Sequence, residues 1–234
     1  MSISAKSVLK RPRAAVVSLV VVVLLLVGAT TTWLLVRSPN AVSGPEGVAI
    51  LNVPNLAPAS AVQSGKTIDG ISCRTLSNDT VKYHIHVHVA VYVNGNEVRL
   101  PEGIGITKPI LVQHYSSGLF DDVGLYDCMY WLHTHVADGI VHVEAPAKQS
   151  FTLGQLFDIW GQPLGPNQVG PAKGTVVVFE NGKRLTGDPR STPLLPHADI
   201  QIDVGNPVVA FQPFTFNVSG GCAQGTLSCT TTTT

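Results

Sequence analysis

Every odd position from Val81 to Val93 is aliphatic or aromatic, the even positions 84, 86 and 88 are all histidine, and the segment runs straight into Asn94-Gly95. A period of two is the signature of a strand, whose successive side chains point to opposite faces. Asn-Gly is the favoured pair for a two-residue hairpin turn, because both residues tolerate the positive φ that matches strand twist. The pattern predicts a hairpin over 81–100, with Val91 facing Val98 and Val89 facing Leu100. His84, His86, His88, Ala90 and Tyr92 then share the opposite face.

The remaining elements follow from similar local rules. Trp131 to Ala145 reads as a second hairpin turning at Asp138-Gly139, with Val136 facing Val141, His135 facing His142 and His133 facing Glu144. Thr152 to Trp160 reads as a short helix. Thr152 is its N-cap, Gln155 completes a capping box, Phe151 staples to Leu156, and Gly161 with Pro163 ends it. A third hairpin spans Thr175 to Leu185 around Asn181-Gly182, and Asp199 to Val204 alternates as a half-buried strand. The order predicts an α+β fold, a mostly antiparallel β-sheet of hairpins with one short helix packed across it, β-grasp-like. The alternative is an all-β barrel or sandwich.

Ahead of this lies a run from Ala14 to Val36 without one charged side chain. As a helix its 23 residues would cover roughly 34 Å, enough to cross a bilayer core. It is longer than the apolar region of a cleaved secretory signal, and no small-residue cleavage site follows it. We therefore expect an N-terminal transmembrane helix that stays attached. Lys6, Lys10, Arg11 and Arg13 precede the run and only Arg37 follows closely, so residues 1–13 form a cytoplasmic tail and the rest lies outside. After residue 37 there remain ten Lys/Arg against all fifteen Asp/Glu, a formal charge of −5. That acidic balance argues against a nucleic-acid partner, which calls for a clustered basic face. Residues 38–66, rich in Pro, Ala, Ser and Gly, read as a linker, in which Val48-Ala49-Ile50-Leu51 can add a short strand. Residues 67–218 make one folded domain and 219–234 a low-complexity tail.

Four cysteines outside the cytoplasm point to disulfides. Cys222 and Cys229 flank a short loop and form the simplest local pair, leaving Cys73 with Cys128. The rival reading makes Cys128 a metal thiolate, five residues before His133. Asn78-Asp79-Thr80 and Asn217-Val218-Ser219 are glycosylation sequons.

The histidine pattern carries the chemistry. His84-x-His86-x-His88, His133-x-His135 and His142-x-Glu144 each place alternate side chains on one strand face. Neutral imidazole is a good ligand for Zn, Cu, Ni and Fe, and two rings at i and i+2 can share one ion. His84 and His88 lie ~13 Å apart by strand rise, so one ion does not take all three histidines of the first strand. An adjacent pair with His135 and His142 is the expected centre, and two metal centres are also compatible. Glu144 can ligate, orient a histidine, or serve as a general base. A solvated polar face would explain one such pair, but not three on strands that meet. His114 and His197 read as ordinary loop or strand-end histidines, and Asp121 and Asp122 as a solvated turn.

Tyr83 to His88, Trp131-Leu-His-Thr-His135, Gly139 to Pro146 and Phe151 to Pro163 together resemble a group of uncharacterised secreted or membrane-anchored prokaryotic proteins. The resemblance covers most of residues 70–205 and implies no stated activity. His133-x-His135 is also superficially similar to the first cupin motif. A cupin would place its Glu four or five residues after the second His, and Glu144 lies nine after it, so a standard cupin site is rejected.

The expected function is a membrane-anchored extracytoplasmic protein that binds a transition metal, copper or zinc, for handling, sensing or delivery. The alternatives are a metal-dependent enzyme with Glu144 as base, and a structural ectodomain stapled by metal. The charge argument makes one direct prediction. Protease added to intact cells or spheroplasts should remove the C-terminal domain, and full protection would reverse the orientation.

Overall fold

In the computed structural model, Tyr83–Val93 (β1) turns at Asn94 (φ 49°) and Gly95 (φ 80°) into Asn96–Val98 (β2), with Val91 facing Val98. The structure describes residues 42–43, 49–59, 65–75, 81–107, 111–114, 121–124 and 127–216, all within the unit Ala41–Thr234. The apolar run 14–36, both sequons, Cys222 and Cys229 lie outside the described residues. Among the described residues no helix is long and apolar enough to cross a membrane.

Five further strands and one helix complete the frame. They are Leu132–His133 (β3), Ile140–Ala145 (β4), Leu153–Trp160 (α1), Val176–Glu180 (β5), Lys183–Arg184 (β6) and Asp199–Val204 (β7). The sheet order is β6-β5-β7-β1-β4-β3, and β2 pairs with β1 beyond the reach of β4. Every pairing is antiparallel except β7 with β1, which is parallel at the centre. The fold is thus mostly β-sheet with one helix, and no closed barrel forms among the described residues. Short paired strands outside this sheet include Cys73–Arg74 with Met129–Tyr130 and Leu111–His114 with Asp121–Gly124. The latter places Asp121 and Asp122 on a strand rather than in the turn expected from their flanking glycines.

The helix is built as its local signals require. Thr152 accepts the Gln155 N–H, the Gln155 side chain accepts the Thr152 N–H, and Gly161 closes the helix at φ 72°. Leu153, Leu156, Phe157 and Trp160 join Ile85, Val87, Val89, Val91, Val141, Val143, Ile200 and Ile202 in one core. Burying each of these large side chains contributes about 1.5–3 kcal/mol. The stretch 49–59, a tether by composition, also lies against the domain. Leu56 and Ala57 enter the core, and the Trp160 Nε1–H donates to the Pro58 carbonyl at 2.8 Å.

Two registers differ from the sequence reading. Leu100 does not face Val89 on the sheet. Arg99 leaves the hairpin to pair with Asn55, and the Val89 N–H donates instead to the Gly139 carbonyl at 2.9 Å. In the second hairpin, β4 pairs His142 with His133 and Val143 with Leu132, so the ladder is two residues out from the expected Val136–Val141, His135–His142 and His133–Glu144 pairs. The cause is Thr134. Its hydroxyl donates to the Pro101 carbonyl and accepts the Ile104 N–H, drawing the chain out of the ladder just after His133. A shift of two preserves the faces, whereas a shift of one would invert them.

The third difference concerns β7, expected to be half-buried. All six of its residues are buried, including Asp199, Gln201 and Asp203. The extended segment 209–216 runs over that polar face. The N–H groups of Val209, Gln212 and Phe214 donate to Asp203 Oδ1 (2.7 Å), Gln201 Oε1 (2.8 Å) and Asp199 Oδ2 (2.6 Å). Buried polar groups persist when each is hydrogen-bonded, and here side chains supply what a neighbouring strand would.

Gly105, in the loop that Thr134 grips, has φ +73°, and a Cβ there would lie 2.3 Å from the Leu132 carbonyl oxygen. Gly105→Ala should therefore cost about 3 kcal/mol or more, combining left-handed strain with a backbone clash. Thr152→Ala should cost about 1 kcal/mol for the lost cap. Chemical denaturation of the two variants checks the ranking, and equal losses would contradict this account of the loop.

Candidate metal centre

β1, β4 and β3 are adjacent, and their polar positions fall in register. His86 stands opposite His142, His142 opposite His133, and His84 opposite Glu144. A row of three imidazoles therefore crosses three strands, with a His–carboxylate pair beside it. His135 enters from beyond the end of β3, because Thr134 turns the chain there. Four donors, from His133, His135, His142 and Glu144, lie within 4.8 Å of one another, and so do those of His84, His86 and His142. Either set can hold a metal ion.

The tautomers of the first pair follow from geometry. His133 Nδ1 is 2.9 Å from the Tyr130 carbonyl oxygen, and His135 Nδ1 is 2.6 Å from that of Val123. A carbonyl can only accept, so each Nδ1 carries the hydrogen and each neutral ring leaves Nε2 as a bare lone pair. The two Nε2 atoms stand 3.2 Å apart. In the neutral form neither can donate to the other. Two bonds of ~2.05 Å to a common zinc ion would subtend about 100° at this separation, close to tetrahedral. A carbonyl on the far nitrogen is the usual device that fixes the ring of a metal-ligating histidine.

His84 and His86 form a second pair, with Nε2 atoms 2.9 Å apart. Between the pairs stands His142, whose ring centroid lies 4.4 Å from that of His86 and 4.7 Å from that of His135. Glu144 Oε1 lies 3.5 Å from His84 Nε2 and 3.9 Å from both His133 Nε2 and His142 Nδ1. Its other oxygen, Oε2, accepts from the buried Arg74 guanidinium. One carboxylate oxygen is thus held by Arg74 and the other is aimed into the imidazoles.

Six of the seven residues singled out by spacing come together here. The seventh, His88, is set apart. Its Nδ1 lies 2.8 Å from Asp199 Oδ1, and its ring stacks on Phe214 at 3.8 Å. His114 pairs with the exposed Asp121, and His197 packs against Phe216. Cys128 is bonded to Cys73, with Cα atoms 5.5 Å apart, so the thiolate reading falls away. Arg74 was not legible in the sequence, since a lone Arg after a cysteine carries no signal. The Val123 and Tyr130 carbonyls are equally silent. No protein family, curated protein or solved structure matches the chain.

Burial, followed by the neighbouring His135 and His142, holds the His133 imidazole well below its ordinary pKa. His142 is lowered too, first by burial and then by His135, with Glu144 opposing. Both rings are therefore neutral near pH 7, the form that ligates. The sign for stability follows. The unfolded chain takes up protons near pH 6.5 while the folded rings stay neutral, so the metal-free domain loses stability as pH falls below about 6.5. Each such ring should cost up to ~1.4 kcal/mol per pH unit across that window. Denaturation of chelator-treated protein at pH 7.5 and 5.5 checks this, and equal or greater stability at pH 5.5 would contradict it.

Proposed function

We propose that this chain is a membrane-anchored extracytoplasmic protein that binds a transition metal, copper or zinc, for handling, sensing or delivery. The observation that carries the reading is the pair of bare Nε2 atoms of His133 and His135, each fixed from behind by a backbone carbonyl. His142 and Glu144 complete the donor set. Imidazole suits both metals, and the Irving–Williams order favours Cu(II) where it is available. The N-terminal run 14–36 is the anchor, with the domain outside. The fold is read as β-grasp-like, with β1 and β7 parallel at the centre, α1 packed across one face and the β3–β4 hairpin added at one side.

The donors differ in exposure. His133 and His142 are buried, which suits a held ion, while His84, His86, His135 and Glu144 are half-buried.

Removing a donor should weaken binding by more than the ~10–100-fold typical of losing a supporting hydrogen bond around a metal. Competition with a chromophoric chelator should show this for His133→Ala and His135→Ala. The double variant should lose far less than the two losses combined, because one ion is lost only once. Glu144→Gln keeps an oxygen in the same place and should weaken binding less than the loss of either histidine, leaving metal bound. Full affinity after loss of both histidines would sink the reading, and a hydrolytic turnover abolished by Glu144→Gln with metal still bound would replace it with an enzyme.

A further inference from the structure

We propose that the cluster is a two-ion centre, with one ion on the His133/His135 pair, a second on the His84/His86 pair, and His142 and Glu144 shared between them. This rests on the metal-binding reading above and extends it. The two pairs sit on β1 and at the end of β3, on opposite flanks of β4. Neighbouring strands are ~4.8 Å apart, so the pairs spring from backbones roughly 9.6 Å apart. Each pair is internally close, with Nε2 atoms 2.9 Å and 3.2 Å apart, a spacing that two bonds to one ion produce. An ion with bonds of ~2.0–2.1 Å reaches donors no more than about 4.2 Å apart, and the two groups of mutually close donors keep the pairs separate, His133 and His135 in one and His84 and His86 in the other.

The shared groups stand where a bridge belongs. The His142 donor lies within 4.8 Å of both pairs, and its ring has two nitrogens on different edges. Glu144 Oε1 is 3.5 Å from His84 Nε2 and 3.9 Å from His133 Nε2, reaching toward one member of each pair. Its negative charge offsets part of the repulsion between two cations. Arg74, on its other oxygen, adds a positive charge nearby, so the second ion binds more weakly than the first.

The test is a titration of the metal-free full chain, purified in detergent with its disulfides intact, using Co(II) followed by its ligand-field absorption. The expected result is two equivalents bound in two steps, the second at least about tenfold weaker. Cu(II)-loaded protein should show magnetic coupling between two ions by electron paramagnetic resonance. His84→Gln/His86→Gln should retain one equivalent, and His133→Gln/His135→Gln should retain the other. Wild-type protein that binds one equivalent, unaffected by loss of His84 and His86, overturns the two-ion centre while leaving a metal-binding protein. Wild-type protein that binds none overturns the metal reading itself. The wild-type stoichiometry decides the question even if a double variant fails to fold.

Discussion

Two imidazole nitrogens 3.2 Å apart, whose lone pairs face each other when both rings are neutral, are the constraint around which this face of the protein is arranged. In water such lone pairs would turn away from each other. Here they cannot, because the Tyr130 and Val123 carbonyls fix both rings from behind. Burial makes protonation of the His133 ring costly, as its lowered pKa shows. A divalent cation would satisfy both lone pairs at once, since it lets them point inward.

The fold supplies that arrangement through rigid elements. β4 is clamped between β1 and β3, and its apolar side packs into the core that α1 covers. The Cys73–Cys128 bond ties the strand bearing Arg74 to the strand bearing Tyr130. Arg74 reaches Glu144, and the Tyr130 carbonyl holds His133. One covalent link therefore serves both the carboxylate and a ligand ring. On the other half of the sheet, the polar positions of β7 are closed by the segment 209–216, which stacks Phe214 on His88 and keeps that histidine out of the cluster.

Local signals were legible where a single residue decides the geometry. The Asn-Gly turns, the Thr152–Gln155 capping box and the period of two located the hairpins, the helix and the imidazole-bearing faces. What was not legible depended on distant partners. The two-residue shift of the second hairpin comes from Thr134 bonding to residues 101 and 104, some thirty positions away. The parallel pairing of β1 with β7 and the cover over Asp199, Gln201 and Asp203 are contacts across the whole domain. The site survived the register error because a shift of two keeps every side chain on its face. His88 shows the opposite case, where a correct face placed a residue near the site but Asp199 claimed its nitrogen.

X-ray absorption at the metal edge of the zinc- or copper-loaded full chain tests the central claim most directly. The account predicts a first shell of nitrogen and oxygen at ~2.0–2.1 Å, outer-shell scattering from at least two imidazoles per ion, and no sulfur. A first shell containing sulfur at ~2.3 Å, or nitrogen and oxygen without imidazole scattering, would contradict it.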